Sequence, residues 1–296
     1  ALPQVEVAAL CDPAPEALAE AKSVAPSAPC TMDFDQLLAL PLDGVVLATP
    51  SAAHAEQTLA ALARGLPVFC QKPLARSADE AARVVETARE RDLLLGVDLC
   101  YRELAGVRTI RDAIAAGELG HVFAIEACFH NAYGPGKPWF FDRQLSGGGC
   151  FMDLGIHLVD LVTWLLGGAS VTGVHSRLFR AGRRLPKRPD DVEDYAEVAL
   201  DVADGRTVAR IACSWGAPAG RDAVIELHVH GTRGGARIHN VAGSFFDFEV
   251  QRTHGTRAQL LAAPPDAWGG RAIARWVDRL RDGFDPNELK IFSGEN

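Results

Sequence analysis

The densest run of chemically capable side chains is Gly147-Gly-Gly-Cys-Phe-Met-Asp153-Leu-Gly155-Ile-His157-Leu-Val-Asp160. Asp153 and His157 stand four residues apart and Asp160 three further on, a spacing that sets all three along one helical face. An imidazole titrates at about pH 6.5 and suits proton transfer, and a carboxylate one turn away orients it or raises its pKa. The three glycines before it let backbone approach a ligand closely. Metal ligation by the same residues matches no ligand motif, and a structural cluster without chemistry is the plain alternative.

Further candidates follow short apolar runs. Asp12 ends Val-Ala-Ala-Leu-Cys-Asp; a carboxylate there accepts hydrogen bonds from a ribose diol and repels a 2′-phosphate, although Asp-Pro is equally a helix-capping turn. Thr49-Pro50-Ser51-Ala-Ala-His54 opens a helix. There Thr49, Ser51 and free amides face a phosphate or the nicotinamide side of a cofactor, or they form an ordinary first turn with His54 as a helix residue. In Gln71-Lys72-Pro73 the proline holds Lys72 extended, where its ammonium hydrogen-bonds a substrate oxygen and helps lower a hydroxyl pKa. Most lysines are merely solvated, so position rather than residue type carries that reading.

These groups need elements to position them. From Val5 to Val97 strand-like runs (Val5–Leu10, Gly44–Ala48, Pro67–Cys70, Leu93–Val97) alternate with helical patterns (Pro15–Val24, His54–Arg64, Ser77–Arg91). The last helix opens on a Ser77-x-x-Glu80 capping box. Such alternation predicts an α/β domain with a doubly wound parallel sheet, whose ligands bind outside the carboxyl ends of the strands. After a helix over Ala105–Ala116 the texture changes to longer alternating strands: Val122–Phe129, Val171–Leu178, Tyr195–Val202, Thr207–Trp215, Ala223–Gly231 and Phe245–Gln251. They suit an open, mostly antiparallel sheet. Two domains are expected, 1–103 and 104–296, with helices over His157–Leu166 and on the stripe Ile273, Trp276, Val277 and Leu280. The polar, proline-bearing segment Arg180–Asp191 reads as a surface loop with solvated basic residues.

The chain of 296 residues is 48% hydrophobic and 23% charged, which excludes a disordered or collagenous class. With 38 acidic against 30 basic residues its charge is −8, without the basic surplus that nucleic acid or anionic lipid requires. Seven cysteines, none in a C-x-x-C pair, favour a reducing cytoplasm. No apolar stretch is expected to reach the ~18 residues of a membrane span. Ala1 is not a methionine and no targeting segment precedes the first strand, so a longer polypeptide is expected.

Taken in order, Asp12, Thr49-Pro50 with His54, Lys72-Pro73, and Gly-Gly-Gly followed by Asp153-x-Gly-x-His157 resemble the Gfo/Idh/MocA oxidoreductases, typified by glucose–fructose oxidoreductase and inositol dehydrogenase. The resemblance runs from about Val5 to about Asp285 and implies a Rossmann domain, then an α/β domain whose sheet commonly makes homodimer or homotetramer contacts. It implies that Lys72, Asp153 and His157 form the catalytic group beside the nicotinamide of NAD, NADP being disfavoured by Asp12. His157 would take the proton of a sugar or polyol hydroxyl, Lys72 would hold the reacting oxygen, and Asp153 would bind a neighbouring hydroxyl or orient His157. Asp12, Thr49, Pro50, Ser51, His54, Gln71 and Lys72 are the implied cofactor contacts; Tyr101, Arg102, His130, Tyr133, Lys137 and Trp139 are candidates for the sugar wall. Two departures stand out: Gln71 replaces the usual Glu before Lys-Pro, and no G-x-G-x-x-G occurs in the sequence. The resemblance places that turn before Ala1, within about 25–30 residues of a first βα unit. Gln71 and the absent turn also suit a non-catalytic sensor of dinucleotide or sugar, and the same residues serve an NAD-dependent glycosidase.

Overall fold

Alternating short apolar runs and helices build the first domain of the computed structural model, which describes residues 2, 4–186 and 190–283. The end of the expected second domain, 284–296, and residues 187–189 of the expected 180–191 loop lie outside the described residues. Along the chain come β1 (Leu10–Cys11), α1 (Pro15–Val24), β2 (Cys30–Thr31), α2 (Phe34–Leu38), β3 (Val45–Leu47), α3 (Ser51–Ala63), β4 (Val68–Cys70), α4 (Ala78–Glu90) and β5 (Leu95–Val97). Every strand pair here is parallel, β1 with β2 and β3 with β4 with β5. Among the described residues no ladder joins β1 to β3, so the sheet stands in a two-stranded and a three-stranded piece. The strand expected over Val5–Leu10 is cut to Leu10–Cys11: it is paired along one edge only, and Val5 and Val7 remain 44% and 48% exposed. α2 shows no long apolar pattern; Asp33 caps it, accepting from the amides of Asp35 and Gln36.

In the second domain α5 (Val107–Ala115), β6 (Val122–Asn131), α6 (Arg143–Ser146) and α7 (Ile156–Leu165) precede eight more strands. These are β7 (Val171–Arg180), β8 (Arg183–Arg184), β9 (Tyr195–Val202), β10 (Thr207–Ser214), β11 (Ala223–Gly231), β12 (Gly235–Asn240), β13 (Phe248–His254) and β14 (Arg257–Ala262). The sheet order is β14-β13-β12-β11-β6-β10-β9-β7-β8, and within this sheet β6–β10 is the one parallel pair among the described residues. The strand expected at Phe245 begins instead at Phe248, because Ser244 Oγ bonds the Asp247 carboxylate and the amides of Phe246 and Asp247, closing a turn. Ile125, Phe129, Ile211 and Leu227 bury the inner face of the sheet in one cluster with Leu158, Leu161 and Trp164 of α7. That burial accounts for a correction: the helical run Arg143–Leu165 is 23 residues long and contains an 18-residue stretch of mean hydropathy 1.3, long and apolar enough to cross a membrane. Half of its apolar window lies inside the protein, as in a core helix.

The apolar stripe near the end forms α8 (Arg271–Asp282), which leaves the second domain and packs on the first. Trp276 lies 5.9 Å from the Phe69 ring, and a Cβ on Gly44 or Gly96 would come within 2.7 or 2.8 Å of its indole. By packing, then, the segment 271–282 belongs with β3–β5 and ties the two domains together. Trp276→Ala is expected to cost about 3–5 kcal/mol through the cavity it leaves, read as a lower midpoint in chemical denaturation.

Candidate active site

The carboxyl ends of β3 and β4 meet the second domain at a cavity of about 390 Å³. Thr49, Ser51, His54, Gln71 and Lys72 line it from one side, and Lys137, Trp139, Phe140, Ser146, Met152 and Asp153 from the other. Strand β4 ends at Cys70, so Lys72 comes two residues past the sheet, and the Lys72-Pro73 peptide is cis. Its Nζ donates to Asp153 Oδ1 at 2.7 Å and to the Asp153 carbonyl at 2.8 Å. Trp215 Nε1, just past β10, donates to Asp153 Oδ2 at 3.1 Å. Both carboxylate oxygens are thereby held, and one Lys72 N–H stays free for a ligand oxygen.

Asp153 sits not in regular α-helix but in a π-helical turn, Phe151–Gly155, that runs into α7. The two residues nevertheless meet different partners: Asp153 bonds Lys72 and Trp215, whereas His157 packs edge-on against the Tyr101 ring at 4.9 Å. His157 Nδ1 is buried without a partner among the described residues. Burial first, and the Lys72 ammonium second, hold this imidazole well below its usual 6.5, so it is neutral at physiological pH. The glycines have three separate reasons. Gly147 takes φ +83° after α6, Gly148 lines the cavity, and Gly149 lets the chain pass, since its Cβ would sit 1.9 Å from the Glu193 carbonyl. Glu193 is itself buried, and its Oε1 accepts from Phe151 N at 3.0 Å, capping the π turn.

Several sequence candidates lie elsewhere than expected. His54 offers no nitrogen to a cofactor: Nδ1 and Nε2 each face a main-chain carbonyl at 2.7 Å, of Pro73 and Thr49, so the ring clamps the two strand ends together. Thr49 Oγ1 donates to Gln57 at 2.6 Å. Gln71 Nε2 donates to Asp98 Oδ2 at 2.6 Å, where a glutamate would oppose one carboxylate to another. Asp12 Oδ1 accepts from Ala14 N at 2.8 Å and so makes the capping turn, leaving Oδ2 without a hydrogen bond among the described residues. Tyr101 is buried among Phe129, His157, Phe248 and Trp268, outside the cavity, and burial pushes its phenol pKa up. Arg102 is corrected likewise: it is buried in a two-point ion pair with Asp160, its Nε donating to Oδ2 at 2.7 Å and its Nη2 to Oδ1. The same pair removes Asp160 from the expected group with His157. Tyr133 is 53% exposed against Phe245, and His130 bonds Ser214 Oγ on the outer side of the sheet. Trp139 does line the cavity, stacked on Phe140 at 3.8 Å. Sequence reasoning missed Trp215, Asp98 and Glu193; Trp215, at the end of an expected strand, and Asp98, directly after the one expected over Leu93–Val97, carried a positional signal, and Glu193 carried none.

Comparison with known proteins agrees with this architecture. Residues 1–99 match the family model described as oxidoreductase family, NAD-binding Rossmann fold, and residues 107–237 match the GFO/IDH/MocA C-terminal domain. A putative UDP-kanosamine synthase oxidoreductase subunit of Amycolatopsis mediterranei is 33% identical over 253 residues, 80% of this chain and 69% of that one. The chain belongs to the Gfo/Idh/MocA oxidoreductase family. A 1,5-anhydro-D-fructose reductase of Ensifer adhaerens is 38% identical over 127 residues, 42% of this chain and 38% of that protein. Matches to the D-glucoside 3-dehydrogenase of Escherichia coli, the MocA protein of Rhizobium meliloti and a levoglucosan dehydrogenase span 51%, 41% and 53% of those proteins. The fold is that of a solved levoglucosan dehydrogenase in complex with NADH and levoglucosan (TM-score 0.77, 24% identity, 93% of this chain and 80% of that one).

The Arg102–Asp160 pair gives a direct test of its structural role. Arg102→Met strands a buried carboxylate and is expected to cost about 3–5 kcal/mol, while the Arg102→Met/Asp160→Leu double variant recovers most of it, as measured by denaturant unfolding.

Proposed function

We propose that this protein is an NAD-dependent dehydrogenase or reductase acting on a CH–OH group of a sugar, polyol or related small molecule. The observation that carries the reading is the Lys72–Asp153–Trp215 cluster at the mouth of the parallel sheet, beside the Trp139–Phe140 stack. The residues present fit the nicotinamide half of the cofactor. Thr49, Ser51 and the start of α3 border the cavity on the strand-end side, and Asp12 keeps one carboxylate oxygen for a ribose diol. When bound, the nicotinamide supplies the hydride acceptor or donor. Lys72 donates its remaining N–H to the alcohol oxygen, favouring the alkoxide character that develops as the proton leaves. His157, neutral and close enough to feel the Lys72 charge, takes that proton. Asp153 holds Lys72 and the substrate side of the cavity rather than His157, because both its oxygens are bound to other partners. Trp139 offers an aromatic platform for the C–H face of a sugar ring. The Gln71–Asp98 hydrogen bond leaves Lys72 free to pair with Asp153, so the departure at position 71 is no argument for a non-catalytic sensor.

Spectrophotometric assay of NAD reduction across aldoses and polyols tests the reading, and no reduction with any of them would falsify it. Lys72→Ala and His157→Ala are each expected to lower kcat about 10²–10⁴-fold. Because the His157 pKa is depressed, its proton-accepting form persists below pH 6.5, and the acid limb of kcat/KM lies below that value. An acid limb centred at or above 6.5 would remove His157 from the role. NAD is expected to exceed NADP in kcat/KM by about tenfold or more, a gap that Asp12→Ala narrows by removing the repulsive carboxylate.

A further inference from the structure

We propose that the substrate is an anionic sugar, carrying a carboxylate or phosphate, and that Lys137, in the cavity lining, reads its charge with support from Arg180 beside the aromatic turn. This rests on the dehydrogenase reading above and narrows its substrate class.

Most polar groups of the strand-end side already have partners. Lys72 and Asp153 hold one another, Gln71 holds Asp98, His54 holds two carbonyls, and Ser146 Oγ lies 2.9 and 2.8 Å from the carbonyls of Asp142 and Gly148. Lys137 differs. It lines the same cavity, immediately before the Pro138–Phe141 turn that carries the aromatic wall, and its ammonium has no hydrogen bond or ion pair among the described residues. Arg180, at the end of β7, does not line the cavity but sets its guanidinium 5.6 Å from the centre of the Phe141 ring, the last residue of that turn. Arg180 likewise has no carboxylate partner among the described residues, and Arg183 stands opposite it across the β7–β8 pair. Acidic residues nearby do not neutralise them. Asp142 accepts from Gln144 N at 2.8 Å, Asp194 accepts from Ala181 N at 2.8 Å, and Asp190 and Asp191 pair with neither cation.

Thus a chain of charge −8 places an unpaired lysine in the lining of its cavity and an arginine without a carboxylate partner against the aromatic turn of that wall. Such a local reversal of sign concentrates anions there and orients them. An ammonium facing a neutral polyol exchanges water for a hydroxyl with little gain, whereas a charge-assisted contact to an anion is worth about 10–100-fold in affinity. Lys137 and Trp139 stand two residues apart and line the same cavity as Lys72. A sugar that lies on the indole with its reacting carbon at Lys72 therefore has Lys137 in the same cavity to meet a charged substituent.

The experiment compares neutral sugars with their own phosphate and uronate or aldonate derivatives, using the full chain and NAD. The anionic member of at least one pair is expected to show about tenfold higher kcat/KM, mainly through KM, with the advantage shrinking in high salt. Which member wins distinguishes phosphate from carboxylate. Lys137→Met is expected to cut the anionic-to-neutral ratio about tenfold, and Arg180→Gln to cut it less. A ratio near one in every pair, or a ratio that survives both variants, overturns the proposal. So does a Lys137→Met variant whose main effect is weaker NAD binding, since the lysine then serves the cofactor phosphates. Should no sugar of either kind be oxidised, the dehydrogenase reading fails, and quenching of the indole fluorescence on titration with the same pairs decides the charge question separately. Tighter binding of the anionic members upholds it, and equal or no binding overturns it.

Discussion

An ion pair between Lys72 and Asp153 joins side chains 81 residues apart and from different domains, and the cavity exists where it forms. Both side chains are mostly shielded, at 19% and 15% exposure, so neither charge is tolerable there without its partner. The surroundings fix the pair from several directions. Trp215 takes the second oxygen of Asp153, Glu193 caps the π turn that presents it, and His54 holds the Pro73 carbonyl beside Lys72. At the other side of the domain contact Trp276 fills the space that Gly44 and Gly96 leave open. A lysine–carboxylate contact is only as well defined as the relative placement of the two domains, and Trp276 supplies that placement by packing.

The electrostatics follow from the same pair. The Lys72 ammonium helps keep His157 neutral and draws down the pKa of Asp98, which burial raises. Gln71 bonds the Asp98 carboxylate with an amide hydrogen, so two acidic groups do not compete for one lysine. Lys72 is left to a single carboxylate, and that carboxylate to a single lysine, which is the simplest stable charge arrangement for a half-shielded site.

Much of this was legible in the chain, and the remainder was hidden for definite reasons. Lys72 was visible because a buried strand ends two residues before it and a proline follows; Asp153 and His157 were visible through spacing. The spacing did not reveal their partners, since Asp153 bonds Lys72 and Trp215 while His157 packs on the Tyr101 ring. The roles of Tyr101 and Arg102 were hidden because polarity does not reveal a partner: Arg102 meets Asp160, 58 residues on, in the core. The doubly wound domain and the large sheet were legible from the change of period, since alternation in β6, β9, β10 and β11 follows one buried and one wetter face. The short β8 and β14 carry no such contrast, with β8 exposed throughout and β14 exposed over most of its length.

The cavity thus has two sides with different physics. On the strand-end side Lys72, Gln71 and His54 are each held by other protein groups, because an unmatched group at low dielectric costs more than any ligand returns while the site is open. From the second domain Lys137 precedes the aromatic turn and Arg180 lies against Phe141 at its end, in more exposed backbone where water satisfies a cation until a ligand replaces it. Recognition is therefore easiest to vary on that side, since changing a solvated loop cation leaves the Lys72–Asp153 contact, on which the rest of the site is built, undisturbed.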